Sequence, residues 1–219
     1  MDNGEIILQE WPSIADERGK EAWSVSGGFP HLDGVPCWRD LKDEKRRQSA
    51  VILGCTKIEG RLSVLCVKRS TCMRRHAGQL AFPGGAREPG DETPLETALR
   101  ECHEELGIPP GKFSMEVMLP KEYAYSSDFV IYPFVAQVDF DEIRRYIRPD
   151  PVELESAFLV CVDRLRLPPE LFWGRSEDRT FMYPVFRTDG KRVIWGATAR
   201  ILWRFLRSLK KQNGAVPCL

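Results

Sequence analysis

Histidine is scarce in this 219-residue chain, with three in all, and no two of its seven cysteines form a CxxC pair. That shortage argues against a zinc site, which needs clustered nitrogen and sulfur ligands. Cys37, Cys55, Cys66, Cys72, Cys102, Cys161 and Cys218 are odd in number, scattered and set in apolar contexts. They read as reduced, buried thiols of a reducing compartment. Net charge is missing too, since 32 Lys plus Arg balance 32 Asp plus Glu. A broad electrostatic surface for nucleic acid is therefore not expected. No apolar run approaches the roughly 20 residues of a membrane-spanning helix. The opening Met1-Asp2-Asn3-Gly4-Glu5 is acidic and lacks the charge pattern of a signal peptide. Pro217-Cys218-Leu219 shares only its last residue with the peroxisomal Ser-Lys-Leu address. The expectation is a cytoplasmic protein without membrane or nucleic-acid partners; peroxisomal and mitochondrial placement are the alternatives.

What is present reads as one globular domain, with 42% apolar and 29% charged residues. Residues 1–35 are rich in turn formers and read as an irregular extension, 36–212 as the domain and 213–219 as a tail. Residues 39–49 are polar and predict a helix. Two apolar runs, 50–56 and 62–67, flank Glu59-Gly60 and predict a hairpin. Further strands are expected at 113–119, 130–140, 158–162, 180–186 and 192–195, and helices at 94–106, 141–146 and 197–211. Strands outnumber helices, and helices interrupt them, which gives an α+β fold with a mixed sheet. Pro133 leaves an edge strand broken by proline open as one reading of its run.

The most informative stretch is GGAREPGDETPLETALRECHEELGI, residues 84–108. Thr93, Pro94 and Glu96 make a capping box with proline in the first turn, and Gly107 is a left-handed terminator. Leu95, Leu99, Cys102 and Leu106 form an apolar stripe at helical spacing. Glu101, Glu104 and Glu105 stand at i, i+3 and i+4, so like charges repel. Clustered carboxylates are what a hard divalent cation takes, and a metal turns that repulsion into attraction. Arg100 lies four residues from both Glu96 and Glu104 and can hold a carboxylate in place. An isolated cluster of this kind is usually a solvated face. Here Phe82-Pro83-Gly84-Gly85 precedes it, and a double glycine permits a sharp turn that exposes a carbonyl.

Together the two elements resemble the Nudix box: Gly85, an acid, then Arg100-Glu101-Cys102-His103-Glu104-Glu105-Leu106-Gly107-Ile108. Counting forward from Gly85 puts the first acid at Asp91, and counting back from Arg100 puts it at Glu92. The resemblance implies an α/β/α sandwich around a mixed sheet. It also implies hydrolysis of a nucleoside diphosphate derivative with Mg²⁺ or Mn²⁺. On it, Glu101 and Glu105 are the main metal ligands, Glu104 a third ligand or helper base, and Arg100 orients the carboxylates. The carbonyl of Gly84 or Gly85 completes the shell.

Upstream, LCVKRSTCMRRHAGQLAFPGG, residues 65–85, is similar to the signature of the coenzyme A pyrophosphatase branch. Arg69, Ser70, Arg74, His76, Gly78, Gln79, Phe82, Pro83, Gly84 and Gly85 match it. The branch cleaves coenzyme A to 3′,5′-ADP and 4′-phosphopantetheine. The resemblance implies that Arg69, Arg74 and Arg75 share the phosphates, with His76 and Gln79 beside them. Loss of Arg69 is then expected to hurt coenzyme A more than its 3′-dephospho form. Glu153 aligns with a late acid that relatives draw toward the metal. Two alternatives stand beside this reading: another diphosphate substrate such as ADP-ribose or a dinucleotide, and a Nudix-fold binding module without turnover.

Overall fold

The computed structural model describes residues 35–41, 45–73, 76–124, 127–176, 179–188 and 192–212. The expected extension, apart from Val35, and the expected tail lie outside the described residues, as do Arg74 and Arg75.

Near-continuous apolar runs in Arg47–Ile58 (β1) and Arg61–Arg69 (β2) mark strands buried on both faces, and the two pair antiparallel through Glu59-Gly60. Both turn residues have positive φ, 51° and 75°, as the tight hairpin requires. Leu80–Ala81 (β3) folds back on β2, and Gly84–Ala86 (β4) pairs antiparallel with β1. After helix Pro94–Leu106 (α1) come Ser114–Met118 (β5), Glu122–Ala124 (β6) and Phe129–Gln137 (β7). The short helix Phe140–Ile143 (α2) leads to Leu154–Cys161 (β8). Glu170–Ser176 (β9), Arg179–Arg187 (β10) and Val193–Ile194 (β11) make a separate three-stranded sheet, followed by helix Gly196–Gln212 (α3).

The larger sheet has the order β3-β2-β1-β7-β5, with β4 on β1, β6 on β7 and β8 on β2. It is mixed, because β1 and β7 run parallel while the other pairs are antiparallel. The period of two in each strand sorts the core into two layers. Ala50, Ile52, Val130, Tyr132 and Phe134 face Ala98, Cys102 and Leu106 of α1. Leu53, Cys55, Val64 and Cys66 face Ala199, Leu202 and Phe205 of α3. The expected α/β/α sandwich is present. Each fully buried aliphatic such as Ile52 or Leu106 contributes roughly 1.5–3 kcal/mol to this arrangement.

Two expectations are corrected and one open reading is decided. The described residues of the expected helix 39–49 are not helical: Trp38–Asp40 is one 3-10 turn and β1 already begins at Arg47, while 42–44 lie outside the described residues. The nine-residue parallel ladder from Arg47–Phe129 to Cys55–Gln137 outweighs the helical leaning of a polar stretch. Pro133 sits in a central strand, not at an edge. It is tolerated where β7 changes neighbour from β6 to β5, and its carbonyl still accepts from Leu119 N at 2.8 Å. Finally, Cys72 is exposed, while Cys55, Cys66 and Cys102 are buried as expected. Burial pushes the Cys66 thiol up to about 12, so it stays protonated and inert.

Candidate active site

The capping box that starts α1 is formed in full. Thr93 Oγ1 accepts from Glu96 N at 3.2 Å, and Glu96 Oε2 accepts from Thr93 N at 3.1 Å. At the other end Gly107 has φ 74° and donates to His103 O at 2.7 Å. The last carbonyls are not left bare: Leu106 O accepts from Arg148 N at 2.8 Å and Glu105 O from Asp150 N at 2.9 Å. These two bonds draw the segment before β8 across the end of the helix. That segment carries Glu153, whose carbonyl accepts from Ser70 N at 2.7 Å. The end of β2, the end of α1 and the approach to β8 are thereby tied together.

Between the two helix ends lies a cluster of ionic side chains. Asp91, 7% exposed, takes Arg100 Nε on Oδ1 and Nη2 on Oδ2, both at 2.9 Å. Glu88 N at 2.9 Å and Thr97 Oγ1 at 2.8 Å donate to the same Oδ2. Burial disfavours the Asp91 anion, yet the bonds from Arg100, Glu88 N and Thr97 outweigh it and hold the carboxyl at about 2. The two candidates for the first acid are thus separated. Asp91 grips Arg100, whereas Glu92 is exposed and offers its carbonyl to Trp38 N at 2.9 Å. Arg100 spends its remaining donors on Ala86 O at 3.0 Å, Glu104 at 2.9 Å and Glu101 at 3.2 Å.

The three glutamates of α1 separate by environment. Glu105 is 3% exposed and accepts from Gly84 N at 3.0 Å. Desolvation pushes its carboxyl up to about 8, with Glu101 and Glu153 adding repulsion and Gly84 N and Arg69 opposing it. Glu101 is half-buried, and desolvation raises its carboxyl too, against the pull of Arg100. A Cβ on Gly85 would stand 2.2 Å from Glu101 Oε2, so this carboxyl lies directly on the glycine backbone. Glu104 departs from the expected convergence: its side chain is 57% exposed and its carboxylate pairs with Arg100. Full solvation makes the surface position the cheaper one for an anion.

Of the upstream residues, Arg69 lowers the Glu105 carboxyl, and its Nε is buried without a partner among the described residues. Its Nη2 meets Met73 Sδ at 3.1 Å. His76 and Gln79 face each other, Nδ1 to Oε1 at 3.0 Å, which closes the loop between β2 and β3. Lys68 is drawn away to Glu155 at 2.6 Å. Two contributors escaped the sequence reading, Thr97 and Trp38: Trp38 Nε1 donates to Thr97 Oγ1 at 3.1 Å.

Chemically, Glu101, Glu105, Glu153 and the Gly84-Gly85 backbone offer only oxygen, which suits Mg²⁺ or Mn²⁺ and not zinc. Burial raises the carboxyls of Glu101 and Glu105, and a divalent cation on their oxygens would offset that cost, so the donor set fits such an ion. Among the described residues no three Asp, Glu, His or Cys side chains are grouped closely enough to hold a metal as they stand.

A pH dependence follows for the metal-free protein. Between 4.5 and about 8 the folded chain keeps a proton on Glu105 that the unfolded chain releases. Stability therefore falls as pH rises through that window, by on the order of a few kcal/mol. Urea unfolding from pH 5 to 8.5 should show a steeper decline in the wild type than in Glu105→Gln. Equal slopes would contradict the burial of this carboxyl.

Comparison with known proteins places these observations in a family context. A NUDIX domain model matches residues 45–182. Nudix hydrolase 3 of Caenorhabditis elegans is 31% identical over 144 residues, 66% of this chain and 60% of that protein. The chain thus spans well under two thirds of the length of the worm relative. An uncharacterized Nudix hydrolase, NudL, of Enterobacter sp. strain 638 is 44% identical over 176 residues, covering 78% of this chain and 85% of the relative. Among solved structures, a MutT/nudix family protein from Enterococcus faecalis superposes with a TM-score of 0.50 at 16% identity. That match covers 75% of this chain and 62% of the other and concerns the fold alone.

Proposed function

Because this chain belongs to the Nudix family, we propose that it hydrolyses the diphosphate bond of coenzyme A or a close derivative, with Mg²⁺ or Mn²⁺. The products are then 3′,5′-ADP and 4′-phosphopantetheine. The observation that carries the reading is the pair of carboxyls, Glu105 buried and Glu101 half-buried, seated on the Gly84-Gly85 backbone, with the charge of Arg69 acting on Glu105.

Glu101 and Glu105 would hold the cation, with the carbonyl of Gly85 as a third oxygen and Glu153 facing both acids. When bound, the ion neutralises charge on the diphosphate and lowers the pKa of a coordinated water. The chain's own residues do the rest. Asp91 fixes Arg100, and Arg100 fixes the Glu101 carboxylate through Nη2. Gly84 N fixes Glu105 Oε2. Glu153, whose backbone carbonyl accepts from Ser70 N, would accept a proton from the attacking water. Glu104, solvated and paired with Arg100, serves as a brace for that guanidinium.

Arg69 has a buried Nε without a partner among the described residues and its charge lowers the Glu105 carboxyl, so it is assigned to the diphosphate. The sequence reading instead shares the phosphates of coenzyme A among Arg69, Arg74 and Arg75. Arg69→Ala should raise KM about 10- to 100-fold, the equivalent of one charged hydrogen bond, and equally for coenzyme A and its 3′-dephospho form. A loss confined to coenzyme A would move Arg69 to the 3′-phosphate. Arg74 and Arg75 remain the candidates for that group.

Substrate choice is tested with a panel of coenzyme A, acetyl-coenzyme A, ADP-ribose and a diadenosine polyphosphate in Mg²⁺ or Mn²⁺. Release of 3′,5′-ADP from the first two at the highest kcat/KM is the expected result. Preference for ADP-ribose or the dinucleotide would keep the chemistry and replace the substrate, and no turnover at all would favour a binding module.

A further inference from the structure

We propose that Trp38, which lies ahead of the residues the family model covers, is a positioning residue of the hydrolytic site. It acts through a chain of hydrogen bonds, Trp38–Thr97–Asp91–Arg100, that ends in the Arg100–Glu101 ion pair. The proposal rests on the reading above of Glu101 as a cation ligand.

Each link is short and directional. The indole can only donate, and Nε1 reaches Thr97 Oγ1 at 3.1 Å. A hydroxyl has one hydrogen to give, and Thr97 has two acceptors in range: Asp91 Oδ2 at 2.8 Å and Thr93 O at 3.4 Å. The nearer, ionised acceptor takes the hydrogen, and the indole N–H occupies a lone pair on the other side. Trp38 thereby sets the hydroxyl so that its hydrogen faces Asp91. Asp91 in turn holds Nε and Nη2 of Arg100, and Nη2 reaches Glu101 at 3.2 Å. The first three members are shielded from water, with Trp38 2% exposed, Thr97 0% and Asp91 7%, while Arg100 and Glu101 are half-buried.

The indole has reasons to stay where it is. Its ring meets Tyr132 edge-on at 5.1 Å, and Arg87 lies over it at 5.3 Å. Its backbone N–H donates to Glu92 O at 2.9 Å, directly beside Asp91. The segment before β1 is thus pinned at both backbone and side chain to the loop that carries the clamp. A merely space-filling aromatic would need none of the polar bonds.

The test separates positioning from packing. Trp38→Phe keeps the ring and loses the donor; Thr97→Val keeps the shape and loses the hydroxyl; Thr97→Ser returns the hydroxyl. Removing a group that orients a metal ligand typically costs about 10- to 100-fold in activity or metal affinity. Trp38→Phe and Thr97→Val should therefore each lower kcat and Mn²⁺ affinity by about tenfold with KM unchanged. Thr97→Ser should restore most of the loss seen in Thr97→Val. The double variant should be no worse than Thr97→Val alone, because the two bonds belong to one chain. The NMR signal of the Arg100 Nε–H, slowly exchanging in the wild type, should exchange faster in both single variants. Variants that melt lower yet keep wild-type kcat, Mn²⁺ affinity and Arg100 signal would overturn the proposal. A wild type inactive on every diphosphate would sink the hydrolase reading, while the Arg100 signal would still decide whether Trp38 holds the clamp.

Discussion

Glu105→Gln is expected to keep the fold and lose at least about 100-fold in kcat at saturating Mg²⁺, or about 2.7 kcal/mol of barrier. Shape is nearly conserved, so the packing of the 3% exposed side chain survives. Gln can still accept from Gly84 N. What disappears is a negative charge at the place where a cation needs one. The same change has the opposite effect on the metal-free protein. Glu105 titrates near 8 because burial penalises its anion, so a neutral amide removes a cost that grows between pH 5 and 8. The variant should therefore unfold at a higher urea concentration than the wild type at pH 8 without metal. Opposite signs for activity and stability are the mark of a functional carboxylate. Near-normal turnover by Glu105→Gln would remove Glu105 from the ligand set.

Gly84→Ala should be the most damaging single methyl in the domain. A Cβ there would sit 2.3 Å from Ala50 O and 2.6 Å from Val51 Cα, both backbone atoms of β1 that have nowhere to go. Its φ of 137° is also one that an L side chain rarely adopts. Overpacking and backbone strain of this kind together cost about 2–5 kcal/mol. At about 2–4 °C per kcal/mol for a domain of this size, the melting temperature should fall by roughly 5–20 °C. Two neighbours serve as contrasts. Gly90 has nothing within 4 Å of its Cβ position, so Gly90→Ala should melt like the wild type. At Gly85 the obstacle is the Glu101 carboxylate, the far end of a flexible side chain. Gly85→Ala should therefore keep most of its stability but displace Glu101 and lose activity. Equal melting of Gly84→Ala and wild type would mean that β4 does not lie against β1 as described.

The parts of this site that were legible in the sequence are those fixed by local geometry. Thr93, Glu96 and Gly107 declared the ends of α1 because capping depends on residues a few positions apart. Glu59-Gly60 declared the hairpin for the same reason. The sandwich was legible only through the family resemblance, while the apolar runs of β1 and β2 declared the strands themselves. Spacing could not decide between Asp91 and Glu92. The choice depends on the turn in which Asp91 N donates to Glu88 O, and that turn faces Asp91 inward to Arg100. Nor could spacing separate Glu104 from Glu105. Adjacent residues on a helix point about 100° apart, and only the position of the Gly84 strand makes one of them buried. Trp38 was invisible, since its partner Thr97 lies 59 positions away and no local pattern links them. The edge reading of Pro133 stayed open for a similar reason: a proline can occupy a central strand where the neighbouring strand changes, and the sequence does not record neighbours.

The most direct measurement is a calorimetric titration of Mn²⁺ into the purified protein at pH 7, repeated in two buffers of different ionisation heat. Saturable binding is predicted, with a proton released as the ion displaces it from the Glu105 carboxyl, and both signals should be lost in a Glu101→Gln, Glu105→Gln double variant. Absence of Mn²⁺ and Mg²⁺ binding to the wild type, with or without a diphosphate ligand, would contradict the claim that these acids grip a cation.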